Sequence, residues 1–121
     1  MNTDTTSDTP PELPFGLSLA TLQKIRNTLA QHPRVQRAVV YGSRAKGNYK
    51  PGSDIDLTLY AVPGTSLDYR ELGDIADEID DLLLPYMVDL SVFDHIDNAA
   101  LREHIERVGR VLYERETFVQ T

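Results

Sequence analysis

Three aspartates and a Gly-Ser pair are the residues of this 121-residue chain whose types and spacing could do chemistry. Asp54 and Asp56 stand two apart in Asp54-Ile55-Asp56-Leu57-Thr58-Leu59-Tyr60, where polar and apolar residues alternate without a break. That alternation marks a strand with one face on a core, so both carboxylates project from the other face, about 6–7 Å apart along it. Adjacent carboxylates repel unless a cation lies between them, and hard oxygen ligands suit Mg²⁺ or Mn²⁺ where phosphate completes the shell. Asp89 alternates with Val88, Leu90 and Val92 in a later strand pattern, in company with Ser91. If the two strands are neighbours, three carboxylates converge, as a two-metal centre needs, with ions about 3.5–4 Å apart. One ion would bind a triphosphate and the other would activate an attacking hydroxyl.

Gly42-Ser43 follows the short apolar run Ala38-Val39-Val40-Tyr41. A glycine there lets the backbone approach a phosphate closely. Ser43 is expected to cap a short helix through Ala45, whose free N–H groups would face the β- and γ-phosphates, with Arg44 or Lys46 offsetting ligand charge. Singly, each feature has a plainer reading: a D-x-D strand as an exposed edge, Gly-Ser as a turn, Asp89 as a solvated residue. The specificity lies in the set, which needs a strand, Gly-Ser, a basic loop of ten residues, D-x-D and then a strand-borne third aspartate.

These residues require a scaffold, and the rest of the pattern supplies one. Ser18 is placed to cap a first helix carrying Leu22, Ile25 and Leu29, with Leu17 and Leu22 as a hydrophobic staple and Pro33 beyond its end. Arg37 to Tyr41 reads as a buried strand, and Asp54 to Tyr60 as a second. A longer helix should start near Asp68 with Glu71 three residues on, bear an inner stripe of Leu72, Ile75, Ala76, Ile79, Leu82 and Leu83, and stop at Pro85. Tyr86 to Phe93 is the next strand. Asp97 is expected to cap a third helix with Leu101, Ile105 and Val108, terminated by Gly109 at the C′ position; Arg110 to Tyr113 adds a last short strand. Strands interleaved with helices imply an α/β (α+β) fold, a small mixed β-sheet flanked by helices.

Composition narrows the function classes. No cysteine is present, which excludes disulfides, thiol nucleophiles and thiolate metal sites. The net charge of −7 argues against bulk nucleic-acid binding, which rests on neutralising phosphates with Lys and Arg. The charge is uneven: Asp68 to Asp81 holds seven acids against Arg70 alone, whereas Arg44, Lys46 and Lys50 crowd one loop with no acid among them. The acidic face reads as a solvated surface, and the basic loop as a local polyanion site, for which a nucleotide is the obvious candidate. His32, His95 and His104 lack ligand spacing and read as surface or boundary residues; Tyr41, Tyr49 and Tyr60 read as core or rim packing. Residues 1–14, polar and rich in Thr and Pro, are expected to be a disordered tail, with 15–121 as one domain. With neither a basic, apolar leader nor a run long enough to span a bilayer, the expectation is a soluble cytoplasmic protein.

Gly42-Ser43, ten intervening residues, then Asp54-x-Asp56 resembles the signature of the polymerase-beta-like nucleotidyltransferases. The fuller string GSRAKGNYKPGSDIDL is similar to their minimal branch, the MNT antitoxins paired with HEPN-domain ribonuclease toxins. The likeness spans roughly residues 18–113, with Lys46 standing where Arg is common. It implies that Gly42, Ser43 and Arg44 bind the nucleotide, that Asp54 and Asp56 ligate two Mg²⁺ ions, and that Asp89 ligates the catalytic ion beside the acceptor hydroxyl. It further implies ATP as donor, a tyrosine of a HEPN toxin in a hetero-oligomer as acceptor, and release of pyrophosphate. Two other readings stand beside it: an antitoxin that neutralises by binding alone, and transfer to a small molecule, for which this short chain has little room to hold an acceptor.

Overall fold

A computed structural model describes residues 14–116. A short 3-10 turn at Pro14–Gly16 leads into α1 (Leu19–Ala30), β1 (Val35–Tyr41), α2 (Ser43–Lys46), β2 (Ile55–Ala61), α3 (Tyr69–Asp80), β3 (Val88–Val92), a 3-10 turn (Phe93–His95), α4 (Ala99–Val108) and β4 (Arg110–Glu114). The four strands form one mixed sheet in the order β3-β2-β1-β4. β1 lies antiparallel to β2 and to β4, whereas β2 and β3 run parallel. The parallel pair follows from α3, which crosses over between them. All but the last residue of the expected 1–14 tail lies outside the described residues.

Side-chain alternation sorts the sheet into two faces. Ala38 and Val40 of β1, Ile55, Leu57 and Leu59 of β2, and Val92 of β3 face the larger core, where Leu22, Ile25 and Leu29 of α1 and Ile75 and Ile79 of α3 complete the packing. On the other face a smaller cluster of Val39, Phe93 and Ile105 seats α4, with Tyr41, Tyr60, Ile96 and Leu101 at its margins. On that face Thr58 is buried and Tyr60 half-buried, whereas Asp56 of β2 is half-buried and Asp89 of β3 is exposed.

The helix starts follow hydrogen-bond chemistry. Ser18 accepts from the Thr21 N–H at 3.1 Å and Asp68 accepts from the Glu71 N–H at 2.8 Å, each satisfying a donor that the first turn leaves free. At α4 the cap is Asn98, accepting from the Leu101 N–H at 2.9 Å, not the expected Asp97. Gly109 does end α4, with its N–H donating to the Ile105 carbonyl at 2.7 Å, but in extended backbone (φ −63, ψ 145) and not a left-handed turn. It is needed there for space: a Cβ would run into the Ile105 carbonyl oxygen and the Val39 side chain. α3 ends at Asp80, ahead of the expected stop, and Leu83 leaves the inner stripe, 87% exposed with a left-handed φ of 55. On the acidic side of α3, His32 meets Glu78 at 2.8 Å and Glu71 at 3.5 Å, and Arg34 lies 3.9 Å from Glu71.

Candidate active site

The register carries the candidate residues across the sheet in rows. Tyr41 of β1 pairs with Asp56 of β2, and Asp56 pairs with Asp89 of β3. Neighbouring strands lie about 4.8 Å apart, so Asp56 and Asp89 are side by side on one face, where α4 packs farther along. Had Asp89 fallen on the opposite side of the sheet it would sit among Val88 and Leu90 against α3; alternation forbids that once those two are inward. Asp54 is exposed immediately before β2, two residues ahead of Asp56 and therefore of the same parity. The next row holds Thr58 and Ser91, with Ser91 donating to the Thr58 hydroxyl at 2.9 Å.

The electrostatics of this corner are those of crowded anions. The Asp56 carboxyl is raised above its usual 3.8, first by burial and then by the charges of Asp89 and Asp54, with His104 pulling the other way. Burial also lifts the Tyr41 hydroxyl, against a Ser91 side-chain hydrogen bond that lowers it, while Asp56 and Asp89 add to the rise. A divalent cation would relieve that repulsion, and carboxylate oxygens are its preferred donors. Among the described residues no group of three Asp, Glu or His side chains is gathered tightly enough to hold an ion without movement. The carboxylates of Asp54, Asp56 and Asp89 are nonetheless the donor type that Mg²⁺ takes.

Gly42 stands at the end of β1 with φ 75 and ψ −151, a region essentially reserved for glycine. A Cβ placed there would lie 2.5 Å from Asp56 Oδ2, so the absent side chain is what lets the α2 turn approach the carboxylate. Gly42 occupies the cap position of α2 and makes no side-chain cap bond; Ser43, expected as the cap, is the first helical residue. The Gly42 carbonyl accepts from Lys46 N–H at 3.1 Å, closing a single turn whose first N–H groups have no partner within the helix.

Arg44, expected as a nucleotide contact, makes its hydrogen bonds within the chain. It is buried, 2% exposed, with Nε donating to the Ser53 carbonyl at 3.0 Å and Nη1 to the Phe15 carbonyl at 2.9 Å. Its guanidinium carbon lies 5.0 Å from the Tyr49 ring centre and 4.7 Å from that of Tyr86. Lys46 is the exposed cation of the same turn.

Bordering the acidic row are two residues that the sequence pattern read otherwise, Tyr41 as core or rim packing and His104 as a surface or boundary residue. Tyr41 heads the acidic row, and His104 of α4 meets its ring edge-on, with centres 6.3 Å apart. The signal for His104 was present: it falls on the same helical face as Leu101, Ile105 and Val108, so it had to point toward the sheet.

A family model described as "Polymerase beta, Nucleotidyltransferase" matches residues 23–118. Among solved structures, a toxin–antitoxin with AMP-PNP is similar at 24% identity and TM-score 0.63, over 78% of this chain and 74% of that one. A rebuilt tri-AMPylated Shewanella oneidensis HEPN toxin in complex with MNT antitoxin gives 22% identity and TM-score 0.59, over 79% and 71% of the two chains. The toxin–antitoxin MntA-HepT gives 21% and 0.59, over 81% and 74%. No curated protein matches. At such identities the likeness to solved structures speaks for a shared fold. No helix among the described residues is long and apolar enough to cross a membrane.

Proposed function

The chain belongs to the polymerase beta nucleotidyltransferase family, and on that footing we propose that it is a Mg²⁺-dependent protein adenylyltransferase, an antitoxin that transfers AMP from ATP to a tyrosine of a HEPN toxin. The observation that carries this reading is the register of Asp56 beside Asp89 next to the backbone cradle at Gly42. The similarity to toxin–antitoxin structures, one with AMP-PNP and one with a tri-AMPylated toxin, supports the choice of donor and acceptor.

In this reading Gly42 and Ser43 receive the triphosphate on free backbone N–H groups and the Ser43 hydroxyl, and Lys46 offsets its charge. Asp54, Asp56 and Asp89 would hold Mg²⁺, which when bound neutralises the phosphates and acidifies the attacking hydroxyl. The acceptor oxygen forms a bond to the α-phosphorus as the bond from that phosphorus to the bridging oxygen of the β-phosphate breaks. Pyrophosphate departs with the electron pair, and Asp89 takes the hydroxyl proton. The partner supplies the acceptor, which fits a chain whose acidic row lies on a sheet face rather than in an enclosed cavity.

The test uses the protein with its toxin, Mg²⁺ and ATP labelled at the α-phosphate. Label is expected to pass to the toxin, to be lost by at least about a hundredfold in Asp56→Ala and Asp89→Ala, and to be absent with EDTA. Transfer undiminished in both variants would refute the assignment. Full neutralisation of the toxin by the triple Asp→Ala protein would instead establish an antitoxin that works by binding.

A further inference from the structure

We propose that Arg44 is a positioning residue, a buried clamp that fixes the Gly42-Ser43 cradle relative to the chain segments bearing Asp54 and Asp89. The inference rests on the adenylyltransferase reading for its consequence, but its geometry stands independently. A guanidinium excluded from water costs several kcal/mol unless its charge and donors are taken up. No carboxylate pairs with Arg44 among the ion pairs of the described residues. The compensation it has comes from two backbone carbonyls and two aromatic faces, drawn from the Phe15 segment, the 49–53 loop and the Tyr86 segment, while Nη2 is buried with no hydrogen-bond partner among the described residues.

Those contacts converge on the site. Arg44 itself follows Ser43. Ser53, whose carbonyl it holds, immediately precedes Asp54. Tyr86, against one face of the guanidinium, lies three residues before Asp89, and the neighbouring Met87 carbonyl accepts from the Ile55 N–H at 2.9 Å, which locks that segment to the start of β2. The Phe15 carbonyl is held in a residue with a left-handed φ of 58, a conformation a non-glycine side chain keeps only when surrounding contacts impose it. The loop between α2 and β2 needs such an anchor. Lys46, Gly47, Asn48, Lys50, Pro51 and Gly52 are exposed, and the other bonds fixing the Ser53 end, with Lys50, are internal to the loop. The fork of Arg reaches both carbonyls at once; a lysine ammonium, compact and strongly hydrated, cannot span them.

Clamp and phosphate ligand predict opposite results for a conservative change. Arg44→Lys and Arg44→Met are compared with Arg115→Met, which removes a similar multi-bonded arginine holding the Val35, Ala30 and His32 carbonyls, beyond the opposite end of β1 from Tyr41. In metal-free folded protein, amide hydrogen exchange over residues 47–56 should quicken about tenfold or more in both Arg44 variants and stay unchanged in Arg115→Met. In transfer assays both Arg44 variants should lose about 10–100-fold in kcat, with a higher Mg²⁺ requirement. Arg115→Met should melt lower yet keep kcat within about twofold. Should the Arg44 variants fail to fold, Tyr86→Leu, which loosens the sandwich but leaves the guanidinium, should show the same changes at about 3–10-fold. Wild-type exchange over 47–56 in Arg44→Lys, or wild-type kcat there with loss only in Arg44→Met, would overturn the clamp. Wild-type protein that transfers no AMP would overturn the adenylyltransferase reading, and the exchange measurement would still decide the clamp.

Discussion

A carboxylate withdrawn from water and then crowded by two others binds its proton more firmly than a solvated one, and Asp56 is in that position. Its folded pKa is raised, so the protonated form favours folding. Stability from this group is therefore present at low pH, falls as pH climbs from the unfolded value near 3.8 through the folded one, and stays lower at neutrality. Asp56→Asn removes the charge and keeps the shape. Without metal, the variant should melt above the native protein at pH 7, and the gap should close below about pH 4. With Mg²⁺ the order should reverse, because only the native site gains from binding, by about 2.7 kcal/mol at a hundred times Kd. A gap indifferent to pH in thermal melts would contradict the repulsion. Gly42→Ala offers a second check: a methyl group is forced into glycine-only backbone and against Asp56 Oδ2. Urea titration should show a loss of about 1–3 kcal/mol, and the displaced carboxylate should raise the Mg²⁺ concentration that transfer requires.

Helix starts show what the sequence makes legible and what it hides. Ser18 and Asp68 are readable because cap, staple and stripe agree on one residue, and the structure has both as caps. At α4, Asp97 and Asn98 are adjacent and equally suited, so only the chain's approach angle decides, and Asn98 holds the Leu101 N–H. Asp68→Ala and Asn98→Ala should each cost about 1 kcal/mol in urea titrations, whereas Asp97→Ala should be nearly neutral. A larger loss at Asp97 would reverse the cap assignment. The same limit explains Leu83 and Arg44. Leu83 continues the apolar stripe of α3 in spacing, but the helix ends before it and the turn throws it outward. Arg44 sits in a basic loop, so composition points it at an anion. Only the folded chain shows Phe15 and Ser53, 29 and 9 residues away in sequence, closing on its guanidinium. Alternation, by contrast, carries over on the core face: Ile55, Leu57 and Leu59 are fully buried, so the parity of Asp54 and Asp56 was readable in advance, although Thr58 on the other face is buried too.

In the proposed reading the two faces of the sheet divide labour between stability and chemistry, and single substitutions on β2 test that division. Leu57 points into the larger core between α1 and α3, while its neighbour Asp56 points to the face where the acidic row lies. Leu57→Ala removes buried apolar volume and should cost about 2–5 kcal/mol, a large share of the stability of a domain this size. Held well below its melting temperature, that variant should still transfer AMP with kcat near wild type, because the register that aligns Asp56 with Asp89 is fixed by backbone bonds. Asp56→Ala should do the reverse, melting no lower than the native metal-free protein while losing transfer. Measured together by urea titration and α-labelled ATP, the two residues should move stability and activity in opposite senses though they are adjacent in the chain. Parallel losses in both quantities for both variants would mean that the acidic row is a support of the fold and not its working surface.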